Sequence, residues 1–518
     1  MTIKLISHFL KWIIVCSICI AGFLIIDSNY LNRVFSSVFD ASMDRGAISN
    51  IFNTYQKIII LYLLLGNAFY FFIIMVGFLN SRRKYISRKL RMDQKMVPLR
   101  SLPPISMIIP AYNEESNAVE SVKSMLKVNY PEFEVIVCND GSKDSTMSNL
   151  IENFKLFEVD LPAPKNLPSE QIKRIFKSEL YQNLIVLDKV NGGKSDALNA
   201  SINYSQYPLI CCVDCDSILD LDGLTKVATP FIEDPIRTVA VGGVIRLAND
   251  TKIEDGRVTQ TSIPWRWLPI IQVVEYLRAF LIGRMGWDYL DCNTIISGAF
   301  GLFNKQVVIE AGGYDPNCIG EDFELLLRIH IYGKTQGKDF RVAFLPDPVC
   351  WTEAPEDLKT LGNQRSRWQQ GLGESLWKSK KILFAPWGGR IGWIALPYLW
   401  IYELFSAPLE LVGYLIIILG LSFDLISIEI VTLLLIVSLV FGATLNLGAI
   451  IVEEFTFKRY PKPIDFFKLI IGAIAEQIVF RQLNLYWRTR GMYRWFKKSK
   501  EWGDMKRVGF SSPNKEEN

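Results

Sequence analysis

The chain has 518 residues and a formal net charge of +4, and 50% of its residues are hydrophobic. With a mean hydropathy of +0.19, this composition is too apolar for a wholly soluble protein and predicts a membrane contribution. The small net charge supplies no global attraction toward nucleic acid, so a nucleic-acid partner is not expected.

Two apolar segments near the N-terminus predict membrane-spanning helices. Residues 9–26 are interrupted only by Lys11 and residues 58–79 carry no charge, and each segment approaches the ~20 residues that a helix needs to cross a bilayer. A cleavable signal peptide is the alternative for the first segment, but no small-residue cleavage site follows it. The basic stretch SRRKYISRKLRMDQK comes after the second segment, which places residues from about 81 onward in the cytosol and the loop 27–57 outside.

Between residue 104 and about residue 380 the sequence is that of a globular domain. Short apolar runs rich in β-branched residues alternate there with helical patterns, which indicates a mixed, mainly parallel α/β sheet. Ligands of such sheets gather at the carboxyl ends of the strands. The predicted strands are ISMII, FEVIVC, NLIVL, PLICCV and TVAVGGVI.

Hydrophobic segments return toward the C-terminus. Residues 407–423 and 427–452 predict a hairpin of membrane spans. Residues 391–406 contain Pro397, Glu403 and several aromatic residues, so they fit either an interfacial helix or the start of a long tilted span.

The last apolar segment, residues 466–487, carries Glu476 and Arg481 and precedes a basic tail, so an interfacial helix is favoured over a span. These segments predict a multi-pass protein of the cell (inner) membrane whose globular domain lies in the cytosol. The predicted divisions are two N-terminal transmembrane helices with an extracytoplasmic loop (1–80), a basic cytosolic linker (81–103), a globular domain (104–385), C-terminal transmembrane and interfacial helices (386–487) and a basic cytosolic tail (488–518).

Cysteine usage indicates free thiols in a reducing compartment. The nine cysteines include several in or beside predicted buried strands. Two CxxC spacings occur, Cys16 with Cys19 and Cys212 with Cys215, but they lie too far apart in sequence and setting to form one zinc site.

Polar side chains follow three predicted strands at the point where each strand ends. The sequences there are PAYNEE (110–115), NDGSKDS (139–145) and DCDS (214–217). Taken alone, each has a structural explanation, such as a helix N-cap at Asn113 or a turn at Asp140. Together, at one sheet edge, they predict a single ligand.

The DCDS stretch predicts a metal and diphosphate site. Two carboxylates one residue apart, Asp214 and Asp216, can hold a divalent cation that in turn bridges the phosphates of a nucleotide. The cofactor expected is therefore Mg²⁺ or Mn²⁺. Tyr112, Glu114 and Asp140 of the neighbouring strand ends are candidates for binding the rest of that nucleotide ligand.

Two further stretches place charged residues at predicted helix starts. In NGGKSDALNA, paired glycines allow close backbone approach and Lys194 is a nucleotide-binding candidate, although the stretch is too short for a Walker A loop. In CIGEDFELLL, Glu321 and Asp322 suit a helix N-terminus electrostatically. The functional alternative is a general base, because a carboxylate at a pocket rim can take a proton from a sugar hydroxyl.

The stretch GNQRSRWQQG is the sharpest functional signal. If it is helical, Gln364, Arg367 and Trp368 project from one face. Arginine pairs bidentately with phosphate oxygens, and an indole offers an apolar plane to a sugar ring. A membrane-surface helix anchored by Trp368 is the alternative.

This combination resembles the membrane-integrated, inverting glycosyltransferases of family 2, the group that contains cellulose, chitin, hyaluronan and poly-N-acetylglucosamine synthases. The resemblance covers about residues 100–380 and the flanking spans. The motifs that carry it are Asp140 in NDGS, the pair Asp214 and Asp216, GED at 320–322, and QxxRW at 364–368.

The resemblance implies a GT-A type α/β domain flanked by transmembrane helices, a UDP-sugar donor and a single in-line displacement that gives a β-glycoside. On the donor side, the resemblance implies uridine binding by Asp140 and metal binding by Asp216 with Asp214 beside it. It implies proton abstraction by Asp322. The diphosphate and acceptor subsites would be lined by Gln364, Arg367 and Trp368, with Ser297, Gly298 and Glu321 as further acceptor-binding candidates.

A processive synthase that extends a β-linked polysaccharide and couples synthesis to export is the favoured function, with N-acetylglucosamine as the expected sugar. The alternative is a non-processive enzyme that adds one sugar to a membrane lipid. A nucleotide-binding transport or scaffold protein is disfavoured, because Asp322, Arg367 and both acids of the DxD motif are present. An accessory export or regulatory subunit is left open, and the long stretch 151–182 departs from the family pattern.

Overall fold

The computed structural model describes residues 47–93, 101–162, 164–254, 257–423, 426, 428–457, 460 and 462–498. The predicted span 9–26 and the final part of the basic tail lie outside these residues. All five predicted strands are present, and further strands accompany them. In chain order the strands are β1 Ile105–Ala111, β2 Phe133–Asn139, β3 Leu156–Val159, β4 Ile172–Ser178, β5 Leu184–Lys189, β6 Leu209–Val213, β7 Ser217–Leu219, β8 Thr238–Leu247, β9 Lys252–Glu254, β10 Arg257–Gln260, β11 Phe300–Asn304 and β12 Arg341–Thr352.

One ten-stranded sheet organises the globular domain, in the order β3-β4-β5-β2-β1-β6-β11-β8-β12-β7. Its centre is parallel, because β1 pairs in parallel with β2 and β6, and β2 with β5. Antiparallel pairs flank this centre, where β4 joins β5 and β11 joins both β6 and β8. The long stretch 151–182 supplies the antiparallel edge pair β3 and β4. The predicted mixed sheet is therefore present, with more antiparallel edges than the five predicted strands indicated.

Helices cover both faces of the sheet, and further helices form a bundle beside it. The helices are α1 Ala47–Asp93, α2 Ala118–Leu126, α3 Thr146–Phe154, α4 Lys194–Tyr204, α5 Gly223–Glu233, α6 Trp267–Glu275, α7 Arg284–Tyr289, α8 Lys305–Glu310, α9 Glu321–Thr335, α10 Leu358–Lys378, α11 Ser406–Ser422, α12 Ile428–Thr456, α13 Pro463–Ala475 and α14 Arg481–Phe496. Stretches of π-helix lie at Tyr276–Gly283, Ile391–Ala395, Leu399–Leu404 and Glu476–Phe480.

Two stretches of the described chain are long and apolar enough to cross a membrane, Lys57–Lys84 and Ile391–Ser422. The second joins the predicted segments 391–406 and 407–423 in one helical run of 32 residues. Helix α1 continues to Asp93, well into the predicted linker. Its far end is tied to the globular domain, because Lys84 pairs with Asp288 of α7 at 2.5 Å.

The C-terminal helices hold the helix that carries the QxxRW motif. Helix α14 crosses α10 so closely that a β-carbon at Gly362 would lie 2.5 Å from the Trp487 Nε1 atom, and one at Gly491 would lie 2.3 Å from the Ser366 carbonyl oxygen. The Ser366 hydroxyl also donates to the Trp487 carbonyl at 3.0 Å. Glycine at these crossings allows backbone contact, so residues 481–496 are part of the support of the site.

Candidate functional site

The three polar strand ends meet at one edge of the sheet. In the parallel pair β1 and β2, Ala111 lies opposite Asn139, and β6 continues the same direction on the other side of β1. A cavity of about 2760 Å³ opens there. Every candidate residue named from the sequence lines it: Tyr112, Glu114, Asp140, Lys194, Asp214, Asp216, Ser297, Gly298, Glu321, Asp322, Gln364, Arg367 and Trp368.

Asp140 is buried and organises the glycine loop of residues 191–193. Its Oδ1 atom accepts from the buried Lys189 ammonium at 2.6 Å and from the Gly192 amide at 2.9 Å, and its Oδ2 atom accepts from the Gly193 amide at 2.8 Å. Asn191 donates to the same carboxylate. Burial lowers the pKa of Lys189, but hydrogen bonds to Asp140 and Asp196 outweigh burial and raise it. The lysine therefore stays charged, and Asp140 fixes the loop that leads into α4.

Lys194, the first residue of α4, joins two parts of the site. Its ammonium lies 2.6 Å from Asp214 Oδ1 and 3.4 Å from Glu321 Oε1. Burial alone would lower the pKa of Lys194, but the charges of Asp214 and Glu321 outweigh burial and raise it. A permanent positive charge thus lies between the end of β6 and the start of α9, where it suits an anionic ligand.

Asp214 and Asp216 have the chemistry of a divalent-metal site. Burial, and next the Asp214 carboxylate, raise the pKa of Asp216 to about 7, so this pair of acids favours a positively charged partner. Within the described residues no group of three metal-ligating side chains occurs. Two carboxylates suit Mg²⁺ or Mn²⁺, because such ions keep several ligand positions for water and substrate phosphates.

Asp322 lies in the first turn of α9, as predicted, and faces the loop before β11. Its Oδ1 atom accepts from the Phe323 amide at 2.8 Å. Its Oδ2 atom lies only 3.0 Å from the position that a β-carbon of Gly298 would take. Glycine at position 298 therefore leaves space beside the carboxylate in the cavity, as a base that approaches a substrate hydroxyl requires.

Residues 364–368 are helical within α10, and Gln364, Arg367 and Trp368 all reach the cavity, as predicted. The Gln364 Oε1 atom is buried and accepts no hydrogen bond from the described residues. Arg365 of the same motif is buried, pairs with Glu275 of α6 at 2.6 Å, and places its guanidinium carbon 4.3 Å from the Trp368 ring centroid. Arg365 thereby holds the indole in place.

Sequence analysis missed the cavity residues of segment 267–289, among them Glu275, Tyr276, Arg278 and Arg284. This segment is apolar and helical, and it was assigned no role. A signal was present, because charged residues inside a long apolar helical run require partners or a ligand. Arg278 has a partner, Glu476, at 3.3 Å.

The sheet, its polar edge and the acidic and basic groups around it define a mixed α/β domain of the GT-A type. A family model described as "Glycosyltransferase like family 2" matches residues 103–371. The chain belongs to this family. The matched residues include every candidate residue of the cavity named above.

Two relatives show the same similarity. A poly-β-1,6-N-acetyl-D-glucosamine synthase of Staphylococcus epidermidis is 28% identical over 316 residues, which is 61% of this chain and 63% of the relative. The synthase of the same name from Staphylococcus aureus strain COL is 29% identical over 298 residues, 56% of this chain and 61% of the relative. The chain thus matches less than two thirds of the length of these relatives.

Solved structures with related architecture include a mannosyltransferase from Pyrobaculum calidifontis in complex with GDP-mannose and Mn²⁺. It is 17% identical, with a TM-score of 0.47, and the match covers 79% of this chain and 99% of that one. Residues 1–349 of Staphylococcus aureus TarS in complex with UDP-GlcNAc are 13% identical, with a TM-score of 0.37, and the match covers 73% of this chain and 92% of that one.

Proposed function

We propose that the protein is a processive, inverting glycosyltransferase. It would transfer N-acetylglucosamine from its UDP-sugar to a growing β-linked polysaccharide and pass the product across the membrane. The observation that carries the proposal is that every predicted donor, base and acceptor residue lines one cavity, which continues between the two candidate spans. The names of the two synthase relatives support the choice of sugar.

The donor would bind at the carboxyl ends of β1, β2 and β6. The glycine loop fixed by Asp140 presents backbone amides and Lys194 to the nucleotide, and Arg367 approaches from α10. Asp214 and Asp216 would hold a divalent cation, which when bound supplies charge neutralisation to the departing diphosphate. Lys194 would exchange its contact with Asp214 for one with the phosphates, because the Asp214 carboxylate and the phosphates are both anions and would lie at the same place.

The acceptor would lie on the other side of the donor, between Asp322 and Trp368. Asp322 takes the proton of the attacking hydroxyl while that oxygen approaches the anomeric carbon in line with the diphosphate. The space beside Gly298 admits the hydroxyl. The Trp368 indole offers its face to the sugar ring, and Arg365 keeps the indole oriented.

Processive synthesis with export is supported by the shape and lining of the cavity. Beyond Trp368 the cavity reaches both candidate spans as well as α12 and α14, and its wall there is rich in hydroxyl and charged groups. Tyr62 of one span stacks on Tyr402 of the other with ring centroids 4.9 Å apart. A polar, aromatic wall inside an apolar helix bundle suits a neutral hydrophilic chain.

The test is UDP release by the purified full-length protein with Mg²⁺ or Mn²⁺ and one UDP-sugar at a time. We expect release with UDP-N-acetylglucosamine, a ladder of lengthening product, and loss of both in Asp322→Asn. Glu310→Gln, an exposed acid outside the cavity, is the matched control and should keep full activity. A product with one sugar on a lipid would replace processive synthesis with single transfer, and no release with any UDP-sugar would contradict the proposal.

A further inference from the structure

Arg284, the first residue of α7, is a buried cation that lines the cavity. Only 5% of the residue is exposed. Its guanidinium carbon lies 4.5 Å from the Phe280 ring centroid and 5.6 Å from that of Phe344, so aromatic rings cover its faces. Among the described residues it forms no ion pair, and its buried Nη1 atom has no hydrogen-bond partner.

Other buried arginines of the molecule have carboxylate partners. Arg246 pairs with Glu453 at 2.5 Å and Arg365 with Glu275 at 2.6 Å. Burial lowers the pKa of Arg284 to about 10, against the opposing charge of Asp322. A buried charge without a partner costs folding free energy, so a structural role does not explain this arginine, whereas a ligand that completes its hydrogen bonds does.

The position of Arg284 indicates which ligand that is. The Phe280 ring beneath its guanidinium lies 6.0 Å from the Trp368 ring, centroid to centroid. Asp322 lines the same cavity, and its charge acts on Arg284. Arg284 therefore belongs to the part of the cavity that holds the proposed base and the indole, which is the proposed acceptor side. The anionic donor already has its own cations in Lys194 and Arg367.

We propose that Arg284 binds the acceptor, with its guanidinium N–H groups donating to hydroxyl or amide oxygens of the terminal sugar so that the attacking hydroxyl faces Asp322. This rests on the function proposed above. A guanidinium offers five donors in a fixed plane, which suits the clustered oxygens of a sugar. The sugar thus supplies the partner that the described residues do not.

The experiment compares Arg284→Met and Arg284→Lys with the unsubstituted full-length protein in nanodiscs. The probes are UDP-N-acetylglucosamine with Mg²⁺ and a β-1,6-linked N-acetylglucosamine trimer as primer. Arg174→Met is the control, because Arg174 is partly exposed, pairs with Asp188 and lies outside the cavity. Three quantities are measured: the KM for the primer, the dissociation constant of UDP, and the melting temperature.

We expect the primer KM of Arg284→Met to rise roughly ten- to hundredfold, the loss typical of a hydrogen bond to a charged group. Arg284→Lys keeps the charge but lacks the planar fork of donors, so its primer KM should lie between that of the unsubstituted protein and that of Arg284→Met. UDP affinity should not change, and the melting temperature should stay the same or rise because an unpaired buried charge is removed. Weaker UDP binding with an unchanged primer KM would assign Arg284 to the diphosphate, and a lower melting temperature with unchanged constants would show a structural role. Either result overturns the proposal.

Failure of the proposed function has a different signature, since the unsubstituted protein would then fail to elongate the primer, whichever UDP-sugar is offered. Calorimetric binding of the same trimer to the UDP-loaded protein then decides on Arg284 separately. Equal affinity of the unsubstituted protein and Arg284→Met, or no binding by either, would overturn the assignment.

Discussion

Replacing Asp140 by asparagine should destabilise the folded protein even before any nucleotide is present. The Lys189 ammonium is fully buried and lies 2.6 Å from Asp140 on one side and 2.6 Å from Asp196 on the other. The substitution removes one of these charges. It also puts an amide group where both carboxylate oxygens accept from the Gly192 and Gly193 amides, so one of these amides loses its acceptor.

The cost follows from these contacts. Breaking a buried ion pair costs roughly 3–5 kcal/mol, and the lower end applies because Lys189 keeps Asp196. The lost hydrogen bond to the glycine loop adds about 1 kcal/mol. A loss of about 4 kcal/mol lowers the melting temperature of a domain of this size by on the order of 10 °C. UDP affinity should fall as well, because the loop that leads to Lys194 loses its anchor.

The assay is thermal unfolding without nucleotide, combined with UDP titration. Asp188→Asn is the matched control, since Asp188 is also buried on the neighbouring strand but pairs with the partly exposed Arg174 and does not line the cavity. It should keep UDP affinity and lose less stability. If Asp140→Asn melts at the temperature of the unsubstituted protein and loses only UDP binding, the anchoring role is refuted and Asp140 acts on the nucleotide alone.

Three further substitutions test the remaining geometry. Gly298→Ala places a methyl group 3.0 Å from Asp322 Oδ2, so turnover should fall by as much as the roughly 10²- to 10⁴-fold that a positioned base contributes, while UDP affinity is kept. Arg365→Lys loses the planar contact with Trp368, so the primer KM should rise several-fold without change in donor KM, and an unchanged primer KM would contradict its positioning role. Gly362→Leu must separate α10 from α14, so melting temperature and activity should fall together, and a variant as stable as the unsubstituted protein would contradict that packing.

The sequence predicted the central sheet and the contents of the site because both leave local signals. Apolar runs with polar ends predicted β1, β2 and β6, and parallel pairing then brings those ends together. The helical spacing of Gln364, Arg367 and Trp368 predicted one shared face, and all three reach the cavity. The roles given to these residues stay predictions.

Other features depend on contacts between residues distant in sequence. Strand β3 has no buried residue and β4 carries the exposed Lys173 and Arg174, so neither shows the apolar run of a buried strand. The pairing of β3 with β4 and of β4 with β5 defines them. The extension of α1 into the predicted linker depends on the pairing of Lys84 with Asp288. The environment of Arg284 comes from Phe344, 60 positions away, and from Asp322. No local pattern encodes such contacts.

Export of the product across the membrane can be tested directly in sealed proteoliposomes. In the vesicles chosen for the assay the catalytic domain faces the external buffer, and labelled UDP-N-acetylglucosamine with Mg²⁺ is added to that buffer only. The account predicts a long labelled polymer inside the vesicles, protected from added glycosidase until detergent is present, and no polymer with Asp322→Asn. A polymer that stays accessible outside, or a product of one sugar on a lipid, would contradict it.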